Sequence, residues 1–290
     1  MELCYPRFIH AEAKTHRIMN IDDEQYVFGA DISVMNEKSL SRNAMSSRAI
    51  PVAKMLAQVR ENPAMPIHWG ANQPGMQAGE EHDTMVEIPV HLVSAYLRFT
   101  GVAGATAKYQ PLTVAPQKAW CFAAWLAADM SQAFADAGYH KQVSNRPTEP
   151  YQWMRVIVTA TEWDNFFALR LSPLADPNMF ELARLAREAL DNSSPVVRAS
   201  HIPYVGDMDR IQLSGPMQAM MAGAARCARI SFLNHDGSYP LVEKDLALAT
   251  MLRDAGHASP FEHVAIAMTT PDMRSRNFQG WTQLREIIAL

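Results

Sequence analysis

Residues 155–170 read Arg155-Val156-Ile157-Val158-Thr159, then Ala160-Thr161-Glu162-Trp163-Asp164, then Asn165-Phe166-Phe167-Ala168-Leu169-Arg170. The apolar trio at 156–158 has the make-up of a short buried strand. Thr161, with Asp164 three residues on, has the form of a capping box and predicts a helix from Thr161 onward. Working outward, helices dominate. Val52, Met55, Leu56 and Val59 recur at helical spacing within Pro51–Arg60, with Pro51 suited to the first turn. An alanine-rich helix is predicted over Gln117–Ala137, closed by Gly138, and an amphipathic one over 180–190. Further helices are predicted over Pro216–Arg226 and Val242–Ala255, the latter ending at Gly256. Strands are predicted at Leu3–Ile9, with Pro6 near an edge, and at Val264–Met268. Strands intervene without regular strand–helix alternation, which indicates an α+β chain rather than a doubly wound sheet.

Two stretches break the pattern. Pro63–Glu81 holds Pro63, Pro66, Gly70, Pro74, Gly75 and Gly79, too much punctuation for regular structure. Asn20–Lys38 is polar and acidic around the apolar piece 26–34, and predicts a small hairpin turning at Gly29–Asp31. There is no Gly-x-Gly-x-x-Gly fingerprint, P-loop, internal repeat or low-complexity tract.

The chain has 290 residues, 48% of them hydrophobic, enough for a substantial core. A net charge of -4 argues against nucleic acid as a partner, so any phosphate must be held by a few placed arginines. Three cysteines are too few and too scattered for a disulfide framework or a cysteine-rich zinc site, and fit a reduced, cytoplasmic setting. No signal peptide is expected from the N-terminus, and no apolar run is long enough to predict a membrane span. The eighteen methionines read as core filler.

The densest polar cluster is Ser41-Arg42-Asn43-Ala44-Met45-Ser46-Ser47-Arg48, directly before the helix at Pro51. It reads either as a phosphate cradle at a helix N-terminus, with Arg48 forking onto phosphate oxygens, or as a capping loop with solvated arginines. Asn165 and Arg170 lie about 500° apart around a helix, off a single stripe but within one broad face. Arg170 is either an exposed helix-end arginine or a buried one that needs a carboxylate or an anionic ligand. Gly256-His257-Ala258-Ser259-Pro260-Phe261-Glu262-His263 matches no zinc spacing, and no metal is expected.

Taken together, these segments resemble the flavin-dependent thymidylate synthases. Thr15-His16-Arg17 followed by Ser41-x-Asn43-x-x-Ser46-x-Arg48 resembles the family's Arg-His-Arg and Ser-x-Asn-x-x-Ser-x-Arg signature. Arg146 with Pro150, Asn165 to Arg170, Cys227-Ala228-Arg229-Ile230-Ser231-Phe232 and the 257–263 segment resemble further family segments. The matches cover roughly residues 1–60, 140–190 and 225–268. The last two segments precede the Arg-His-Arg motif in the commoner bacterial form and follow it here. The chain is thus similar to circularly permuted, phage-type members, with the permuted part at about 216–290. Permutation requires the strand after His263 to lie beside the strand at Leu3–Ile9, with old and new termini close together.

The resemblance implies a single 1–290 domain built on a central, mostly antiparallel sheet with helices. It implies FAD as cofactor, NADPH and methylenetetrahydrofolate as co-substrates, and dUMP as substrate, with dTMP as product. Substrate binding falls to Glu12, Ser46, Ser47, Arg48, Arg146 and Arg170. Cofactor binding falls to Thr15, His16, Arg17, Asn43, Thr159, Asn165, His257, Ser259 and Glu262. His16, Arg17 and Arg170 would be catalytic, and Arg170 would favour the ionised pyrimidine. No protein nucleophile is required, so Cys121 and Cys227 read as core. A homotetramer with shared sites is implied, as is the cytoplasm, a host's if the chain is phage-encoded. Trp281 reads as a packing residue, at such an interface or in the core. The sequence also departs from the family. Thr15 replaces an arginine, Glu12 a glutamine and Ala44 a glutamate, and Ala175-Asp176-Pro177-Asn178 only loosely matches a usual Ala-Gln-x-Glu run. The 23 residues Ile18 to Leu40 stand where the family has a couple. That insertion is either a specificity element or a surface excursion that leaves the motif intact. The departures leave open dCMP methylation, hydroxymethylation of either nucleotide, or a flavin- or nucleotide-binding homologue without catalysis.

Overall fold

The computed structural model describes residues 1–14, 30–31, 52–102, 111–229 and 238–290. The chain opens with β1 (Glu2–Pro6), a 3₁₀ turn at Arg7–Ile9 and α1 (His10–Lys14), followed by β2 (Ala30–Asp31) and α2 (Val52–Glu61). Next come β3 (Val86–Ile88), α3 (Val93–Phe99), β4 (Leu112–Val114), α4 (Pro116–Asp136) and α5 (Lys141–Ser144). A 3₁₀ stretch at Arg146–Tyr151 leads to β5 (Trp153–Ile157), β6 (Thr159–Ala160), α6 (Asp164–Arg170) and α7 (Pro177–Asp191). The remainder is β7 (Ser200–His201), α8 (Asp207–Gln212), α9 (Pro216–Cys227), α10 (Val242–Asp254), a 3₁₀ turn at Ser259–Glu262, and β8 (Ala265–Ala267). It closes with β9 (Arg274–Ser275), β10 (Phe278–Gln279), β11 (Trp281–Gln283) and α11 (Leu284–Ile287). The fold is mixed α+β, with small antiparallel sheets.

The sequence-based element boundaries hold where a period or a terminator is strong. Met55, Leu56 and Val59 bury the inner face of α2 against Ala124 and Ala128 of α4. Leu56 is wholly buried, so truncating it to alanine should cost about 2–5 kcal/mol. At the end of α10 the Gly256 amide reaches the Arg253 carbonyl (2.9 Å) and the His257 amide reaches Leu252 (2.9 Å). Gly256 adopts φ +74°, the left-handed conformation that this Schellman closure needs. The 63–81 stretch holds no helix and no strand beyond an isolated bridge between Gly70 and Glu81.

Other expectations are corrected. The first strand ends at Pro6 rather than Ile9, because Arg7–Ile9 turns to bury Ile9 and to bring Arg7 against Glu149. Helix α6 starts at Asp164, since the Thr161 hydroxyl accepts from the Gln279 amide (3.1 Å) instead of capping. Ala30–Asp31 is not a turn: it is strand, with Ala30 opposite Ala160 and Asp31 opposite Thr159. Among the described residues no central sheet forms. The strands are two to five residues long, and the largest sheet has three, in the order β11-β8-β7. The strand after His263 does not lie beside β1. It is flanked by β11 and β7, and β1 pairs with β5, Glu2 opposite Ile157 and Pro6 opposite Trp153.

Two cores result. Tyr5, Met154, Val156, Phe166, Phe167, Met179 and Ala183 fill the space between the β1–β5 ladder and helices α6 and α7. Met220, Ala224, Ala249, Leu252, Phe261, Val264 and Leu284 fill the C-terminal part. Gly223 permits close approach there, because a Cβ on it would meet Ile202 Cγ2 at 2.7 Å. The two parts are joined by polar and apolar contacts. Thr159 Oγ1 meets His263 Nδ1 (3.0 Å), Arg274 holds Glu162 through two bonds (2.7 and 3.0 Å), and the Tyr204 hydroxyl donates to Glu2 (2.9 Å). Cys227 packs on Ile157 beneath Tyr204.

Candidate functional site

Arg170 is the last residue of α6, and its direction follows from the helix repeat. Phe166 and Phe167, four and three residues earlier, are buried, so Arg170 lies on the inward side of the helix. Trp163 stacks on Phe167 with centroids 6.0 Å apart, which fixes the roll of the helix. There the guanidinium meets the carboxylate of Glu12 in an ion pair. Glu12 is held in place by its own helix and the turn before it, whose Ala13 and Ile9 are buried in the same core. The two side chains are 15% and 16% exposed. The requirement for a carboxylate or an anion beside a buried arginine is met by Glu12. Burial pushes the Glu12 carboxyl above its ordinary value, with nearby Asp176 adding to the rise and Arg170 opposing it. Asp176 is fixed as the N-cap of α7, accepting from the amides of Asn178 (2.9 Å) and Met179 (3.1 Å) ahead of Pro177 at the first helical position.

Arg146 opens the 3₁₀ stretch Arg146–Tyr151 and meets the Arg7 end of the N-terminal segment through a shared carboxylate. It reaches Glu149 at 3.2 Å, and Arg7 holds the same carboxylate at 2.9 Å. Arg7 also donates to Gln152 Oε1 (2.8 Å), whose amide nitrogen donates to the buried Thr148 hydroxyl (2.8 Å). Arg146 is 54% exposed, able to meet a solvated anion. From Arg7 to Glu12 the chain is a 3₁₀ turn running into α1, a rise of roughly 8–10 Å. Arg146 and Arg170 are therefore served by opposite ends of one short helical run.

A third group surrounds Thr159. Its hydroxyl bonds His263, a fully buried side chain, and its backbone pairs with Asp31. Ser259 is half-buried at the start of the 3₁₀ turn that ends at Glu262. Glu262 is itself buried, its carboxylate held by Arg285. Asn165 is half-buried in the first turn of α6, and His257 is exposed just beyond the cap of α10. The structure thus brings Glu12 to Arg170, and His263, four residues past Ser259, to Thr159. Thr15, His16, Arg17, Asn43, Ser46, Ser47 and Arg48, and with them Ala44 and the rest of the cradle, lie outside the described residues.

One charged network was not singled out from the sequence. Arg226, with no exposed side-chain surface, donates from Nε to Asp245 (2.8 Å) and from both terminal nitrogens to Asp209 (2.7 Å each). It also donates to the Tyr204 carbonyl (2.6 Å), while Arg229 pairs with the other oxygen of Asp245. The signal was present: an arginine follows Ala219-Met220-Met221-Ala222-Gly223-Ala224-Ala225, a helix apolar all round, where a cation must be paired. Cys227 is completely buried, and burial pushes its thiol far up, so it stays protonated and unreactive. Cys121 is half-buried, its sulfur 3.8 Å from Met65 Sδ. Trp281 pairs with Ala267 in the three-stranded sheet.

Among the described residues no group of three or more His, Cys, Asp or Glu side chains is arranged to hold a metal ion, and no helix is long and apolar enough to cross a membrane. Comparison with protein-family models, with curated proteins and with solved structures gave no match to the chain.

Proposed function

We propose that the chain is an enzyme of the flavin-dependent thymidylate synthase type, transferring a one-carbon unit from methylenetetrahydrofolate to C5 of dUMP. The observation that carries this reading is the Glu12–Arg170 ion pair. Two residues 158 positions apart, both assigned to the substrate by motif resemblance alone, meet as a largely enclosed pair. Thr159, Asn165 and Ser259 are half-buried polar side chains near the joint between the two cores, a chemistry that fits the polar edge of a flavin. Glu262 fits less well, because its carboxylate is already engaged by Arg285. FAD, when bound, would supply the hydride, with NADPH restoring it.

The chain's own residues have separable tasks in this scheme. Arg170 donates to the pyrimidine, and Arg146 with Ser46, Ser47 and Arg48 holds the phosphate, Arg48 by a charge-assisted fork. His16, Arg17, Thr15 and Asn43 complete the cofactor side. Sites shared within a homotetramer, the cytoplasmic setting and a phage source belong to the same proposal, but the circular permutation does not, because the strand after His263 is flanked by β11 and β7 rather than by β1. A second reading, one-carbon modification of a deoxycytidine nucleotide, is favoured by one observation: the Glu12 carboxylate beside Arg170 can accept from a 4-amino group.

The test is direct. Purified protein should carry flavin absorbance and form dTMP from dUMP, methylenetetrahydrofolate and NADPH. Arg48→Ala should weaken dUMP binding by about 2–4 kcal/mol. Flavin-free protein with no affinity for pyrimidine nucleotides would overturn the proposal, and turnover on dCMP alone would select the second reading.

A further inference from the structure

We infer that Glu12 makes the Arg170 subsite a reader of neutral rather than ionised pyrimidine rings. The inference rests on the proposed nucleotide-binding role of Arg170 and reverses the expectation, drawn from the resemblance, that Arg170 favours the ionised ring, because Glu12 faces its guanidinium. A guanidinium standing alone beside a uracil ring rewards loss of the N3 proton, because opposite charges stabilise the ionised form. Here the guanidinium already faces a carboxylate, and both side chains are largely enclosed, so solvent screens their field little. The pair combines N–H donors with a carboxylate acceptor. A neutral pyrimidine offers the complement: a ring carbonyl or nitrogen accepts from Arg170, and the N3–H of uracil or the 4-amino group of cytosine donates to Glu12. An ionised uracil has no proton left at N3, and it sets a negative charge against Glu12.

Among the described residues the charges that act on Glu12 are Arg170 from α6 and Asp176 from the turn entering α7. Asp176 strengthens the repulsion of an anionic ring. It is not readily displaced, since its carboxylate is bound to the amides of Asn178 and Met179.

The experiment uses the full chain with FAD and two probes, dUMP and its 5-fluoro analogue, whose N3 proton is the more acidic. Dissociation constants are measured by calorimetry across the pH range in which the fluorinated ring ionises and the unsubstituted ring does not. Phosphate ionisation is common to both probes and cancels in their ratio. For the unaltered protein, affinity for the fluorinated probe should fall relative to dUMP as its ring ionises, on the order of tenfold. Glu12→Gln should abolish or reverse that fall, whereas Glu12→Asp, which keeps the charge, should retain it. If Glu12 is merely structural, Glu12→Gln should shift the unfolding midpoint and leave the pH profile of the ratio as it is in the unaltered protein. An unaltered protein whose relative affinity stays level or rises with ionisation overturns the inference, with no variant needed. So does a Glu12→Gln profile that matches the unaltered protein. Failure of either probe to bind at any pH overturns the nucleotide reading and this inference together.

Discussion

Arg226 and Arg170 each sit near the end of a helix that is anchored by a buried apolar face, and each faces carboxylates. Around Arg226 the enclosure is total: two aspartates and a carbonyl take its nitrogens, and neither it nor Asp245 has any exposed side-chain surface. Around Arg170 a margin of exposure remains, and the facing carboxyl is strained upward by burial. The difference separates a fully enclosed cation from one that, on the proposed function, meets the nucleotide. A buried charge that is fully matched contributes to packing geometry; one at the margin of solvent can exchange its partner.

Substitutions should widen that contrast. Asp245→Ala leaves Arg226 and Arg229 without their shared carboxylate and should destabilise the fold by about 3–5 kcal/mol in a denaturant titration. An effect under about 1 kcal/mol would dissolve the contrast, because surface-like pairs behave that way. Arg170→Ala should cost less stability, about 1–3 kcal/mol, since it leaves the Glu12 carboxylate without its cation, while on the proposed function it lowers dTMP formation by roughly a hundredfold or more, with flavin retained. A stable Arg170→Ala protein with full turnover would make Arg170 as purely structural as Arg226.

How far these two environments were legible in the sequence differs for physical reasons. Helix α10 was readable because Gly256 supplies its stop. Helix α7 was readable because its apolar stripe repeats with the helical period. Arg170 was marked as either exposed or partnered, but which carboxylate it meets depends on a contact across 158 positions. The Arg226 network needed only the observation that a cation in an apolar helix must be matched. Short strands fared worst: Ser200–His201 and Val86–Ile88 exist only through pairing with remote segments, and at two and three residues they are too short for an alternation to register. Thr161 misled because its hydroxyl satisfies an amide 118 residues away instead of its own helix. The cradle at 41–48 was the densest polar signal in the chain, and it lies outside the described residues.

Smaller effects sharpen the comparison further. Thr159→Val removes the bond to His263 and should cost about 0.5–1.5 kcal/mol in thermal unfolding, loosening the joint between the two cores. The two regions should also respond to pH with opposite sign. Hydrogen bonds from Arg226 hold the Asp209 carboxyl below its ordinary value of 3.8, so its contribution is present above that value and lost as the pH falls through the lower folded value. Glu12 is held above its ordinary value of 4.5, so its contribution is present below 4.5 and lost as the pH rises through the higher folded value. In melting curves against pH, Asp209→Asn should flatten the acid limb, and Glu12→Gln should remove a loss of stability that sets in as the pH rises above 4.5. Matching slopes in both variants would mean that the two carboxyls share one environment after all.

The pairing of Ala30–Asp31 with Thr159–Ala160 bears on how the 18–40 segment can be studied. Those two residues shield main-chain amides of the very segment that carries the Thr159 hydroxyl. Excising 20–38 would strip this cover and leave a sticky strand margin, inviting a second molecule to pair there. A clumping deletion protein would then report bared backbone, not lost selectivity. Polar replacement of the flanking residues, with Ala30–Asp31 retained, is the cleaner surgery.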